Sequence, residues 1–185
     1  MAVEIEAKLK VDSLNEVEVR LAACGARFLR EVIQTDWYFD TPDRELTRAD
    51  KCLRLRIEKA ASQERLVLAY KGPKEKDDYK KRQEAEVEVN DAAAVESLFA
   101  GLGYRKELAF NKRRRLWNLH VCEVALDELP LVGTFVEIEG PDSRTIGQVQ
   151  AMLDLAGVPH TADSYACLVE RELSRQGTTQ REVYL

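Results

Sequence analysis

The stretch Val3-Glu4-Ile5-Glu6-Ala7-Lys8-Leu9-Lys10-Val11 decides how the rest of the chain is read. Its odd positions are apolar and its even positions are charged. Successive side chains of a strand point to opposite faces, so one face here is wholly apolar and the other wholly charged. A strand with one face in water gives the same pattern, so the stretch alone carries little weight. What matters is whether other strands repeat it.

They do. Cys52 to Lys59 and Glu64 to Lys71 read as strands joined by a polar turn at Ala61-Ser62-Gln63. Arg54 and Arg56 share a face there, with Leu53, Leu55 and Ile57 opposite, and Lys71 ends its strand at Gly72-Pro73. Lys81 to Val89 places Arg82, Glu84, Glu86 and Glu88 on one face. Phe110 to Leu119 carries Lys112 and Arg114, and Thr134 to Glu139 carries Glu137 and Glu139. Phe28 to Phe39, stopped by Thr41-Pro42-Asp43, and Val121 to Asp127 complete the strands.

Between them lie helical signals. Asp12 or Ser13 caps a helix with Leu14, Val17 and Leu21 at helical spacing and Gly25 at its end. Asp91 caps a second, with Val95, Leu98, Phe99 and Leu102. Two more are expected over Ile146 to Ala156 and Ser164 to Ser174. Gly72 to Asp78 reads as an exposed loop and Gly177 to Leu185 as a loosely held tail.

Unpaired charges are seldom buried, and so many charged strand faces are reconciled if they line one shared, wet cavity. The expected fold is therefore α+β: a closed antiparallel β-barrel of about eight strands with a charged tunnel and helices packed outside. The expected organisation is a single domain over residues 1–175, with 176–185 as a C-terminal tail.

The composition agrees with a soluble globular chain. Of 185 residues, 45% are hydrophobic and 33% charged, enough for a core without staples. The net charge of −5 argues against a nucleic-acid partner, and no apolar run is long enough for a membrane helix. Cys24, Cys52, Cys122 and Cys167 are scattered without a CxxC pair, which points to reduced thiols and a cytoplasmic location. His120 and His160 stand alone, so a histidine-based zinc site has little support.

Glu4-x-Glu6-x-Lys8 resembles the ExExK signature of the CYTH (triphosphate tunnel) family. Arg54 and Arg56, Lys71, Arg82, Glu84 and Glu86, Lys112 and Arg114, and Glu137 and Glu139 follow in the order that family shows, and Ser164-Tyr165 is similar to its last-helix element. Gln34-x-Asp36-x-Tyr38-Phe39-Asp40, Tyr70-Lys71-Gly72-Pro73 and Val132 to Glu137 resemble its class IV adenylyl cyclase branch. One departure is Val132-Gly133-Thr134-Phe135, where the family's usual leucine-glycine-aspartate-phenylalanine has an acidic residue.

The resemblance implies an enzyme converting ATP to cyclic AMP and pyrophosphate. Hydrolysis of inorganic, thiamine or nucleoside triphosphate is the alternative, and a non-catalytic polyphosphate- or nucleotide-binding module the second. It implies phosphate binding by Lys8, Arg54, Arg56, Lys71, Arg82, Lys112 and Arg114, and Mg²⁺ or Mn²⁺ binding by Glu4, Glu6, Glu137 and Glu139. Glu4, Glu6, Lys8 and Lys71 form the implied catalytic set, while Glu84, Glu86 and Asp127 would hold a second metal or orient the basic groups. The expected partner is a small triphosphate such as ATP, thiamine triphosphate or tripolyphosphate, with a homodimer left open. Trp37, Phe39 and Trp117 could seat a base, though core packing is the simpler role for each.

Overall fold

The computed structural model describes residues 2–60, 63–74 and 80–185. In chain order the elements are β1 (Ala2–Val11), α1 (Leu14–Ala23), β2 (Arg27–Asp40), α2 (Glu45–Arg48), β3 (Cys52–Ala60), β4 (Gln63–Lys74) and β5 (Lys80–Val89). They continue with α3 (Ala92–Gly101), β6 (Arg105–Leu119), β7 (Cys122–Leu129), β8 (Gly133–Glu139), α4 (Ser143–Met152), α5 (Tyr165–Arg175) and β9 (Glu182–Val183).

The strands hydrogen-bond in the order β2-β3-β4-β5-β1-β8-β7-β6-β9, and β2 also pairs with β6. That last pairing, antiparallel from Arg27↔Asn118 to Asp40↔Arg105, joins the ends of the eight longer strands into a ring. A closed ring leaves no unpaired edge on those strands, which is the barrel expected from the strand patterns.

Helices start where short polar side chains can accept their first free N–H groups. Ser13, Asp91, Asp142 and Ser164 cap α1, α3, α4 and α5, accepting from Glu16, Ala94, Thr145 and Cys167. The Asp142 cap starts α4 three positions ahead of the Ile146 expected from apolar spacing. Short α2 has no side-chain cap at Arg44; instead Asp40, at the end of β2, accepts from the backbone N–H groups of Thr41, Leu46 and Thr47.

The apolar strand faces bury outward. Leu14, Val17 and Leu21 of α1 and Ile146 and Val149 of α4 pack with Ala7, Leu9, Val124, Val136 and Ile138. Phe39, Leu55 and Leu66 meet Val95 and Phe99 of α3. A Cβ on Gly140 would lie 2.8 Å from Cys122 Sγ and 3.0 Å from Ile146 Cγ1, so only glycine lets the chain leave β8 this close to β7 and α4.

α5 takes a different place. Its Tyr165, Val169 and Leu173 pack on Leu108, Phe110 and Phe135. Those three share the inward strand faces with Lys112, Arg114 and Glu137, so α5 covers one end of the barrel rather than its wall. The expected loop from Gly72 begins later, because Gly72, Pro73 and Lys74 still belong to β4; residues 75–79 lie outside the described residues. The expected tail ends in β9, which pairs in parallel with Ala109 and Phe110 of β6. Lys106 holds Glu182 at 3.1 Å, and the Asn111 side-chain oxygen accepts from the Leu185 N–H at 2.7 Å.

Candidate active site

The lumen is a cavity of about 990 Å³. Strand register explains who lines it. Glu6 and Lys8 of β1 stand opposite Glu139 and Glu137 of β8, and Glu139 and Glu137 stand opposite Glu123 and Ala125 of β7. Arg114 of β6 is opposite Asp127. Across the barrel, Gln34, Asp36 and Tyr38 of β2 face Glu58, Arg56 and Arg54 of β3. Lys71 of β4 sits between Cys52 and Glu84. The period of two puts every one of these side chains on the same face of its strand.

Charges buried so thoroughly need partners, and they have them. Lys8 is 2% exposed and Lys112 is 1% exposed. The Lys8 ammonium lies 3.2 Å from Glu137 and 3.9 Å from Glu6, and donates to the backbone carbonyl of Asp163. Asp127, fully buried, accepts from Lys112 at 2.9 Å, from Arg114 at 2.7 Å and from the Tyr165 hydroxyl at 2.8 Å. Arg114 also donates to Glu137. The Tyr165 ring lies under both ammonium groups, with Lys8 at 4.2 Å and Lys112 at 4.6 Å from its centroid. Opposite them, Asp36 takes Arg56 in a two-point grip at 2.7 and 2.8 Å, and Arg54 reaches Glu86 at 3.7 Å.

This packing shifts protonation. Burial, reinforced by the positive charge of Arg114 and only partly opposed by Asp127 and Glu137, pulls Lys112 down to about 7. Burial raises Asp36 and Asp127, but the cations prevail: Arg56 and Arg54 hold Asp36 well below the usual carboxylate range, and Arg114 and Lys112 lower Asp127. Burial, with Asp127 and Glu137 nearby, pushes the Tyr165 hydroxyl well above its ordinary value. The lumen thus holds fixed positive charge paired with carboxylates, an arrangement that an anion with several charges can enter by exchanging partners.

A family model for the CYTH domain matches residues 2–146. The chain belongs to the CYTH domain family. It is 30% identical over 181 residues to Adenylate cyclase CyaB of Aeromonas hydrophila, covering 92% of this chain and 91% of that protein. It is 31% identical over 137 residues to the Methanocaldococcus jannaschii protein MJ0240, covering 74% of this chain and 76% of that one. In structure it is similar to the PH1819 protein of Pyrococcus horikoshii, with a TM-score of 0.80, 28% identity, and coverage of 91% of this chain and 98% of that one.

Within this CYTH barrel the expected residues fall into groups. Lys8, Arg54, Arg56, Lys112 and Arg114 all line the lumen and present their charge to it. Lys71 lines it too and is engaged by Glu84. Arg82 reaches the lumen wall, but its guanidinium donates to the backbone carbonyls of Gly72 and Asp50, which makes it a staple between β5 and the chain around it. Asp127 has both oxygens engaged by Lys112, Arg114 and Tyr165. Trp117 is buried in the outer core, and Trp37 packs against the α3 cluster with Lys106 over its ring at 4.4 Å. Phe39 is in that cluster and also lines the cavity. Asp36, Gln34 and Tyr165 were not singled out as site residues in the sequence. The signal was present in the Gln34-x-Asp36-x-Tyr38 spacing, which repeats the same inward parity.

For the implied metal, Glu6, Glu137 and Glu139 line the lumen on neighbouring strands, and Glu6 and Glu139 are cross-strand partners. The side chain of Glu4 lies outside the described residues. Among the described residues no three acidic, histidine or cysteine side chains converge into a ready-made ligand set. As donors, however, these carboxylates are the hard oxygen groups that Mg²⁺ and Mn²⁺ prefer, and the residues fit such an ion. No helix of the described residues is long and apolar enough to cross a membrane.

Proposed function

We propose that this protein is a metal-dependent enzyme acting on a triphosphate, and that its reaction is the conversion of ATP to cyclic AMP and pyrophosphate. The observation that supports the first half is the lumen itself: Lys8, Arg54, Arg56, Lys112 and Arg114 bring positive charge into one shared cavity. The similarity to Adenylate cyclase CyaB supports the second half.

The chain's own residues act by position. Arg54, Arg56, Lys71, Lys112 and Arg114 bind the phosphate oxygens and stabilise the charge that gathers on the leaving pyrophosphate. Asp36 and Asp127 hold those cations in place, so little reorganisation is needed when substrate arrives. Glu6, Glu137 and Glu139, with Glu4, would hold Mg²⁺ or Mn²⁺, which when bound supplies charge neutralisation and acidifies the attacking hydroxyl. The barrel wall and α5 exclude bulk water from the phosphorus.

Triphosphate hydrolysis is the second reading. It is favoured by the burial of Trp117 and Trp37 in the outer packing, which leaves Tyr38 and Phe39 as the aromatic groups of β2 that line the lumen. One experiment separates the readings. The protein is incubated with ATP, thiamine triphosphate and tripolyphosphate with Mg²⁺ or Mn²⁺, and every product is identified. Cyclic AMP and pyrophosphate from ATP are expected. ADP and phosphate, or consumption of tripolyphosphate alone, replaces the cyclase with a triphosphatase. Tight binding without turnover makes it a binding module.

A further inference from the structure

Gln34 stands in the lumen wall between Lys112 of β6 and Glu58 of β3, its cross-strand neighbours. It is 4% exposed. Its amide nitrogen donates to Glu58 at 2.7 Å, and Arg30 lies 3.5 Å from the other side of that carboxylate. Its amide oxygen is buried and, among the described residues, has no hydrogen-bond partner. The Glu58 carboxylate decides which end is which: turning the amide over would set two acceptors against each other. The adjacent Lys112 ammonium does not supply the missing hydrogen, since it is directed to Asp127 and the Tyr165 ring.

A buried carbonyl oxygen without a donor is unfavourable, so a ligand that brings a donor gains a hydrogen bond there. Ionised phosphate oxygens cannot do this, because they only accept hydrogen bonds. The hydroxyl and amino groups of a nucleoside can. We propose that Gln34 is a specificity-determining residue: its oxygen accepts a hydrogen bond from the nucleoside part of the substrate, through a ribose hydroxyl or an exocyclic amine. Gln34 thereby favours nucleoside triphosphates over inorganic triphosphate. Glu58, supported by Arg30, is the positioning residue that fixes the amide. The proposal rests on reading the lumen as a triphosphate site and names the class of substrate that this site takes.

The test is calorimetric titration in EDTA, which removes the divalent ions proposed for turnover. The ligands are ATP, 2′-deoxy-ATP, 3′-deoxy-ATP, the triphosphate of unsubstituted purine riboside, and tripolyphosphate. Gln34→Met should weaken ATP binding roughly three- to tenfold, the effect of one neutral hydrogen bond, and leave tripolyphosphate unchanged. The analogue lacking the matching donor should bind the wild type more weakly by the same factor and lose nothing further in Gln34→Met. That analogue identifies the donor. Glu58→Gln, which frees the amide to turn, should reduce the preference for ATP while tripolyphosphate affinity again reports an intact lumen. Equal ATP affinity in wild type and Gln34→Met overturns the proposal, as does an equal loss for ATP and tripolyphosphate. If tripolyphosphate binds the wild type neither in EDTA nor with Mg²⁺ added, the triphosphate reading falls and this proposal with it.

Discussion

At the scale of the residue, Lys112 shows how burial and function pull against each other. It faces Arg114, Arg56, Asp127, Glu137 and Tyr165, and its acid–base midpoint drops from the ordinary 10.5 to about 7. Between those values the unfolded chain holds a proton that the native protein has released, so this group makes stability rise with pH across that window and has no slope below it. An arriving phosphate reverses the balance by favouring the ammonium form. Tripolyphosphate binding should therefore take up a proton at pH 8 and weaken as pH rises above 7. Titrations in buffers of different ionisation enthalpy measure this, and the uptake should vanish in Lys112→Met. Asp36 and Asp127 act in the opposite sense. Their lowered values give stability that is present at neutral pH and lost only in strong acid. Glu6 supplies the second prediction at this scale. Glu6→Gln should abolish turnover at ordinary Mg²⁺ while near-ultraviolet and far-ultraviolet circular dichroism stay unchanged. Full activity in that variant removes Glu6 as a ligand.

At the scale of the element, the crossing of β8 by α4 is the place where one atom decides packing. Gly140→Ala would place its Cβ 2.8 Å from the buried Cys122 sulfur and 3.0 Å from Ile146. Neither neighbour is the free end of a flexible surface chain, so the strand or the helix must shift. We expect a loss of about 1–3 kcal/mol in urea unfolding, the usual cost of overpacking, with tripolyphosphate affinity kept because the lumen face is untouched. α5 is the element that couples fold to site. Ser164 caps it at 3.2 Å through the Cys167 N–H, and the next residue, Tyr165, supports Lys8 and Lys112. Ser164→Ala should cost about 1 kcal/mol and, unlike Gly140→Ala, should also weaken tripolyphosphate binding. Parallel unfolding and binding curves for the two variants distinguish a purely structural position from one that carries the site.

At the scale of the whole molecule, the barrel is a container of paired opposite charges. Its basic groups are compensated by carboxylates when no ligand is bound, and a triphosphate adds compensation that the unfolded chain cannot use. Tripolyphosphate should therefore raise the melting temperature in proportion to the logarithm of its concentration. At a hundred times its Kd the stabilisation is about 2.7 kcal/mol. Salt should reduce the affinity, though less than for exposed charges, because the paired groups here are buried. A thermal-shift series over ligand and salt concentration tests both expectations, and a shift equal to that produced by sulfate at the same ionic strength would count against a triphosphate-shaped site.

Much of this was legible along the chain because a strand has a period of two. Alternation in Val3 to Val11, and again around Arg54, Glu84, Lys112 and Glu137, specifies which side chains share a face without any knowledge of neighbours. Short-range chemistry likewise marked Asp12 or Ser13 and Asp91 as helix starts, of which Ser13 and Asp91 are the caps. What alternation cannot state is which charges meet, since pairing across strands depends on register and closure. That Asp127 is gripped by Lys112, Arg114 and Tyr165 follows from β6, β7 and α5 coming together, with Tyr165 lying 38 residues beyond Asp127 in sequence. The same holds for Arg82, whose inward parity matched the other basic groups but whose guanidinium is taken by backbone carbonyls of Gly72 and Asp50. The closing contact of β2 with β6, the placement of α5 across the barrel end, and the docking of β9 also come from tertiary structure alone. Local sequence sets the direction of each side chain. Only long-range packing sets its partner, and with charged groups the partner decides the role.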